Sequence, residues 1–357
     1  MNQKSLQKIL RLIDANINRA MEGLRVVEDV VRLVLDNKKL TEKLKRHRSR
    51  LRETIEFLPI SRQELMRARR SGDDIGKELY PQAEARRDTV TQIVTSNLKR
   101  VEESLRVLEE FIKLLDAKSG KLFKDLRFKL YDMEKEIVLE VIKHEGEKAK
   151  KEKLDFDLYV ISDHSALRGR SHIGIIKKLI ASGIKIIQLR DKEVNKAEYF
   201  RIAKKLRKLT KDAGVAFIVN DYVDITKAVD ADGVHLGQDD IPVRKARNIL
   251  GDDKIIGVST HTLSQAKKAE RAGVDYISVG PVFSTPLKPG KKPVGLKLLR
   301  QVKAKVKVPI IAIGGINASN IYNVRKTGVK RVAVIRAVVR ADNISLAVKR
   351  LRSRLRI

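Results

Sequence analysis

Eight short, β-branched runs recur after residue 157, each followed by a segment of helical periodicity: LYVIS, IKIIQLR, VAFIVND, GVHL, KIIGVS, DYISVG, PIIAIGG and RVAVIRA. Strands this apolar must be covered on both faces, and crossover helices between them demand parallel pairing. Eight such units over about 200 residues are the arithmetic of a closed (β/α)8, or TIM, barrel. An open doubly wound sheet is the alternative, and a count of eight units weighs against it.

The first 145 residues follow a different rule. Glycine is rare, Pro59 and Pro81 alone break the run, and apolar residues recur at three-and-four spacing. The segment also contains a repeat: Asn16 to Glu28 matches Asn97 to Glu109 at a constant offset of 81, with seven identities in thirteen positions. Ile17, Ala20, Leu24, Val27, Val31 and Val34 align with Leu98, Val101, Leu105, Leu108, Ile112 and Leu115 as one helical stripe in each copy. The expectation is a multidomain chain: an all-α helical bundle with an internal repeat over 1–145, a charged linker over 146–153, and an α/β barrel over 154–357.

Composition removes several classes. With no cysteine, a disulfide framework, thiolate zinc, an iron–sulfur cluster and a cysteine nucleophile are excluded. No window of about twenty apolar residues occurs, so a soluble, cytoplasmic protein with no membrane partner is expected. The net charge of +32 would ordinarily point to nucleic acid. Aromatic content of only 4%, without a basic-aromatic stripe, offers little to stack on bases, so no specific nucleic acid is expected. Of that charge, +24 falls after residue 150, which suits small anionic ligands of the second half.

In such a barrel reactive groups stand at the C-terminal ends of strands, and this filter selects the candidates. Strand two ends in Gln188-Leu-Arg190-Asp-Lys192, where alternation brings Gln188, Arg190 and Lys192 to one side, suited to phosphate or else a solvated basic edge. Strands three and four supply Asn220-Asp221 and Gln238-Asp239-Asp240, an oxygen-rich set of the kind Mg²⁺ prefers. Asp239 and Asp240 stand just before Ile241-Pro242, so a helix-capping role competes, and one residue is expected to do each job. Ser259 ends strand five. Thr285 and Lys288 lie in a long Pro- and Gly-containing loop that reads as a mobile lid, and Gly314-Gly315 after strand seven occupy the usual phosphate-cradle position. His164 and His172 read as structural turn and helix-start residues. There is no Ser-His-Asp order and no Walker A loop, which disfavours acyl transfer and P-loop phosphoryl transfer.

Six ordered blocks, QLRDK (188–192), ND (220–221), ADGVHLGQDD (231–240), IIGVSTHT (255–262), DYISVGPVFSTPLK (275–288) and IAIGGI (311–316), resemble thiamine phosphate synthases across essentially all of 154–350. The family joins hydroxymethylpyrimidine diphosphate to a thiazole phosphate, often its carboxylated form, and releases pyrophosphate. The resemblance implies that Gln188, Arg190, Lys192, Asn220, Ser259 and Lys288 hold the pyrimidine diphosphate. It implies Asp221 and Asp240 as Mg²⁺ ligands, with Thr285 and Gly315 on the thiazole phosphate. Arg190, Lys192, Lys288 and Ser259 are the expected catalytic group, because the carbon bearing pyrophosphate ionises only if the charge growing on the leaving group is neutralised. Two positions depart from the family pattern. The lid has Leu287 where a threonine is usual, and strand eight ends Val334-Ile335-Arg336 where a small serine is usual. Arg336 could add a phosphate contact or crowd the pocket; a guanidinium matches phosphate geometry, so Ile335 and Arg336 are included among the substrate-binding residues.

The helical half resembles a domain often fused ahead of this synthase and reported as a hydroxymethylpyrimidine phosphate kinase, on the strength of NINRAMEGLRVVEDVVR (16–32), SGDDIGKEL (71–79) and the second repeat. Such a kinase would use ATP as co-substrate and supply the diphosphate the barrel consumes. The residues themselves offer Asn16, Arg19, Glu22, Arg25, Asn97, Arg100 and Arg106 beside the seam, with Asp73, Asp74 and Lys77 in a turn. Those groups could bind ATP phosphates or Mg²⁺, or be surface ion pairs on a duplicated bundle. A monofunctional synthase with a helical assembly domain, and a nucleic-acid-binding protein on an inactive barrel, are the competing readings. Oligomeric state is open, a homo-oligomer included.

Overall fold

The computed structural model describes residues 2–70, 86–286, 290 and 292–356. The chain divides into two compact units, Met1–Glu145 and Gly146–Ile357.

The first unit is helical: α1 (Gln3–Leu33), α2 (Lys38–Glu56), α3 (Arg62–Ala68), α4 (Val90–Ile112) and α5 (Ala117–Lys153), the last running on past its boundary. The two copies of the repeat are α1 and α4, packed along the expected seam. Ala20, Leu24, Val27 and Val31 are fully buried opposite Leu98, Val101, Leu105, Leu108 and Ile112. Gly23 permits that approach, because a Cβ there would lie 2.7 Å from Val101 Cγ2 and 3.0 Å from the Asn97 carbonyl oxygen. The duplication extends to buried charge. Glu28 of α1 pairs with Arg48 of α2 at 2.9 Å, and the equivalent Glu109 of α4 pairs with Arg127 of α5 at 2.7 Å. The repeated unit is therefore a helical hairpin whose interior carboxylate is neutralised by the returning helix.

Residues 146–153, expected as a linker, are instead the final turns of α5. Glu, Lys and Ala are good helix formers, and Lys150, Lys151 and Lys153 complement the negative C-terminal end of the helix. Lys150 is anchored on Asp275 at 3.1 Å and Lys153 on Asp232 at 2.6 Å.

The second unit is the expected barrel. Strands β1 (Leu158–Asp163), β2 (Ile186–Arg190), β3 (Ala216–Asn220), β4 (Gly233–Leu236), β5 (Ile255–Thr260), β6 (Tyr276–Val279), β7 (Ile310–Ile313) and β8 (Arg331–Val334) pair in sequence order, all parallel, and β8 closes on β1. The surrounding helices are α6 (His172–Ala181), α7 (Lys196–Asp212), α8 (Val223–Ala228), α9 (Val243–Leu250), α10 (Leu263–Arg271), α11 (Gly295–Lys305), α12 (Ile321–Arg325), α13 (Arg336–Val339) and α14 (Ile344–Arg356). Strand alternation sorts the apolar residues into two layers. Val160, Ile187, Phe217, Val234, Ile256, Ile277 and Val332 face the helices, while Tyr159, Ile161, Ile186, Ile218, Ile255, Tyr276 and Ile311 fill the barrel interior. Gly257 makes room for one of these rings, since a Cβ there would fall 2.0 Å from Tyr276 Cζ. No helix among the described residues is long and apolar enough to cross a membrane.

Candidate active site

The same alternation that buries Ile186 and Ile218 turns the strand-end residues Gln188, Arg190, Asn220 and Ser259 inward, and the parallel register gathers them at one mouth of the barrel. Arg190 is fixed by an ion pair with Asp163, which ends β1 directly opposite it, and Asp163 Oδ1 accepts the Ser165 N–H at 3.1 Å. Lys192 stands 3.5 Å from Asp221. Gln188 lies deeper, almost fully buried, and donates to the Tyr159 hydroxyl at 2.8 Å.

Below the mouth runs a polar chain that strand-by-strand reading does not reveal. Tyr159 and Tyr276 hydroxyls lie 3.3 Å apart, His235 Nδ1 is 2.9 Å from Tyr276, and His235 Nε2 is 2.9 Å from Ser259 Oγ. Burial pushes both phenols above their ordinary range, so they act as neutral partners. His235 thereby orients the Ser259 hydroxyl.

Asp221 and Asp240 face each other. Burial, and then the neighbouring Asp240 carboxylate, push the Asp221 carboxyl up to about 6, with Lys192 opposing the rise. Asp240 Oδ2 accepts the Gly237 N–H at 2.6 Å. Neither Asp239 nor Asp240 caps α9: its N-cap is Pro242, without a side-chain cap hydrogen bond, because Asp240 turns back to its own loop. The expected division of labour between the two is therefore corrected, and the exposed Asp239 has no cap to form. Two neighbouring carboxylates form a hard, oxygen-only donor set, which fits Mg²⁺ better than a thiophilic or imidazole-preferring ion.

Beside this mouth, between the ends of β5 and β8, is a cavity of about 440 Å³. Ser259, Thr285, Gly315, Ile335 and Arg336 of the expected set line it. Gly315, at φ +65°, sits so close to the β6 loop that a Cβ would be 2.4 Å from the Ser284 carbonyl oxygen. Asn320 holds the cradle from behind, donating to the Gly315 carbonyl at 2.9 Å. Arg340, one helical turn beyond Arg336, adds a second guanidinium to the lining. Lys288 and Leu287 lie outside the described residues, as do Asp73, Asp74 and Lys77.

In the helical unit the described residues of the expected set make local contacts. Asn16 and Asn97 each donate back to the carbonyl four residues earlier, Leu12 and Ile93. Arg25 pairs with Asp29 at 3.6 Å and Arg106 with Glu109 at 2.9 Å, both within one helix. Arg19, Glu22 and Arg100 are exposed.

Comparison with known proteins agrees with this architecture. Residues 158–338 match the family model described as thiamine monophosphate synthase, and 11–136 match the ThiD2 family. The thiamine-phosphate synthase of Synechocystis sp. is 39% identical over 355 residues, covering 99% of this chain and 98% of that protein. That of Prochlorococcus marinus is 39% identical over 94% of this chain and 93% of the relative. A solved thiamine phosphate pyrophosphorylase from Pyrococcus furiosus is 38% identical, with a TM-score of 0.53, covering 57% of this chain and 97% of that one. The barrel, its ordered motifs and full-length relatives that share both halves make this chain a member of the thiamine-phosphate synthase family, with a ThiD2-type helical domain ahead of the barrel.

Proposed function

We propose that the barrel joins hydroxymethylpyrimidine diphosphate to thiazole phosphate, giving thiamine phosphate and pyrophosphate, with loss of CO₂ as well when the thiazole is carboxylated. The observation that carries this reading is the gathering of Arg190, Lys192, Asn220, Asp221, Asp240 and Ser259 at one barrel mouth beside a cavity lined by Gly315 and Arg336. Asp221 and Asp240 would hold Mg²⁺, which when bound neutralises charge on the diphosphate and its departing pyrophosphate. The chain's own groups do the rest. Arg190, oriented by Asp163, and Lys192 present fixed cations to the diphosphate, so little reorganisation accompanies departure of the leaving group. Ser259, held by His235, can donate to a phosphate oxygen. The Gly314-Gly315 turn and Arg336 bind the thiazole phosphate, so that the thiazole nitrogen waits near the pyrimidine methylene carbon. A cavity of this volume, with an apolar wall from Ile313, Val334 and Ile335, suits a planar ring better than bulk water.

For the helical domain we propose ATP-dependent phosphorylation of hydroxymethylpyrimidine phosphate, supported by the ThiD2 match. The local pairing of Arg25 and Arg106 favours a second reading, in which this domain serves assembly alone. The full chain supplied with pyrimidine monophosphate, ATP, Mg²⁺ and thiazole phosphate distinguishes them. Thiamine phosphate formation supports the bifunctional enzyme; formation only when pyrimidine diphosphate is supplied directly supports the assembly role.

A further inference from the structure

We propose that His164, His172 and Asp191 form a second metal site, for a borderline divalent cation of the zinc class, at the ends of β1 and β2 and distinct from Asp221 and Asp240. This goes beyond the synthase reading and does not depend on it. One ligand atom from each residue, His164 Nδ1, His172 Nε2 and a carboxylate oxygen of Asp191, lies within 4.8 Å of the other two. The residues come from three places: the turn after β1, the first residue of α6, and the position following β2. Asp191 Oδ2 is 3.0 Å from His164 Nδ1 and 2.9 Å from His172 Nε2. Around a tetrahedral ion with bonds of about 2.0–2.1 Å, ligand atoms are about 3.3 Å apart. The two Asp191 contacts need widen by only a few tenths of an ångström, and the two imidazole nitrogens are within 4.8 Å of each other.

The far sides of the ligands are already held. Asp191 Oδ1 accepts the backbone N–H of Glu193 at 2.9 Å and of Val194 at 3.3 Å, which leaves Oδ2 for both imidazoles. His172 Nε2–H donates to Asp191 Oδ2 without metal, and a cation displacing that proton leaves Nδ1–H to donate to Ser162 Oγ, 2.7 Å away. His172 is buried and His164 about half exposed, so the ion has a route from solvent and a fourth position for water. Two imidazoles and one carboxylate suit Zn²⁺ and disfavour Mg²⁺, which keeps to hydrated oxygen sites. Asp191 lies between Arg190 and Lys192 in sequence. A cation here ties the end of β1 to the end of β2 and so braces the backbone that carries both.

The test uses the full chain without an affinity tag, stripped with chelator and carrying Asp221→Asn and Asp240→Asn to remove the oxygen-only site. Titration with Co²⁺ should develop the visible bands of a tetrahedral centre, saturating at one equivalent and displaced by Zn²⁺. His164→Ala, at a half-exposed position that leaves the core intact, should weaken Co²⁺ binding at least tenfold, and Ser162→Ala roughly 10–100-fold. Zn²⁺ should raise the melting temperature of the parent and not of His164→Ala. No saturable Co²⁺ binding, or binding undiminished in both His164→Ala and Asp191→Asn, overturns the proposal and leaves the cluster as hydrogen-bonded scaffolding.

Discussion

Asp221→Asn should make the divalent-free protein more stable while removing its chemistry. Asp221 ionises at about 6 in the folded chain against 3.8 for an unperturbed aspartate, a rise caused first by burial and then by Asp240. An acid whose folded value is raised destabilises the fold where it is ionised, so the penalty is absent below about 4, grows between 4 and 6, and is complete above 6. Two units correspond to about 3 kcal/mol. The side chain is 26% exposed and its ion pair with Lys192, itself 59% exposed, is lost in the variant. Screening and that loss reduce the expected gain to about 1–2 kcal/mol. Asn tolerates the left-handed backbone of position 221 (φ +64°) as Asp does, so no new strain offsets it. In a barrel of this size the melting temperature should rise by about 2–4 °C per kcal/mol at pH 8 with EDTA. The gain should shrink as pH falls from 6 toward 4, and Mg²⁺ should stabilise the wild type but not the variant. Equal or lower stability at pH 8, or a gain that does not change with pH, would refute the picture of two crowded carboxylates awaiting a cation.

Gly315→Ala should lose about 2–3 kcal/mol and raise the KM for thiazole phosphate, because its φ is +65° and the new Cβ would press on the Ser284 carbonyl; a variant with unchanged melting temperature and KM contradicts this. Arg336→Ser should raise the thiazole phosphate KM while leaving the KM for the pyrimidine diphosphate unchanged, and steady-state kinetics would show otherwise if the side chain points away. His47, buried in the helical unit and held down to about 4 by burial with Arg50 and Lys129 nearby, must stay neutral in the fold. Stability should therefore fall as pH drops from 6.5 toward 4, by up to about 3 kcal/mol; denaturant midpoints should show this slope in the wild type and a shallower one in His47→Gln.

The barrel mouth was legible because strand periodicity carries direction: once 186–190 is a strand with Ile186 inside, Gln188 and Arg190 must also face in. Its supporting groups were not. Asp163 ends β1 as Arg190 ends β2, yet its role as anchor depends on a partner 27 residues away that neither strand's own pattern encodes. His235 is similarly silent, since its contacts with Ser259 and Tyr276 arise only from the pairing of β4 with β5 and of β5 with β6. In the helical unit the offset of 81 marks Glu28 and Glu109. It does not mark Arg48 and Arg127, whose spacings of 20 and 18 residues break the alignment. The charged stretch at 146–153 reads equally well as coil or solvated helix, and only the anchoring of Lys150 and Lys153 decides between them.

Phosphorus NMR of the full chain turning over pyrimidine diphosphate and thiazole phosphate with Mg²⁺ tests the central assignment most directly. One pyrophosphate should be released per thiamine phosphate formed, with turnover reduced by roughly two or more orders of magnitude in folded Asp221→Asn and Asp240→Asn. Wild-type turnover in both variants, or release of orthophosphate in place of pyrophosphate, would contradict it.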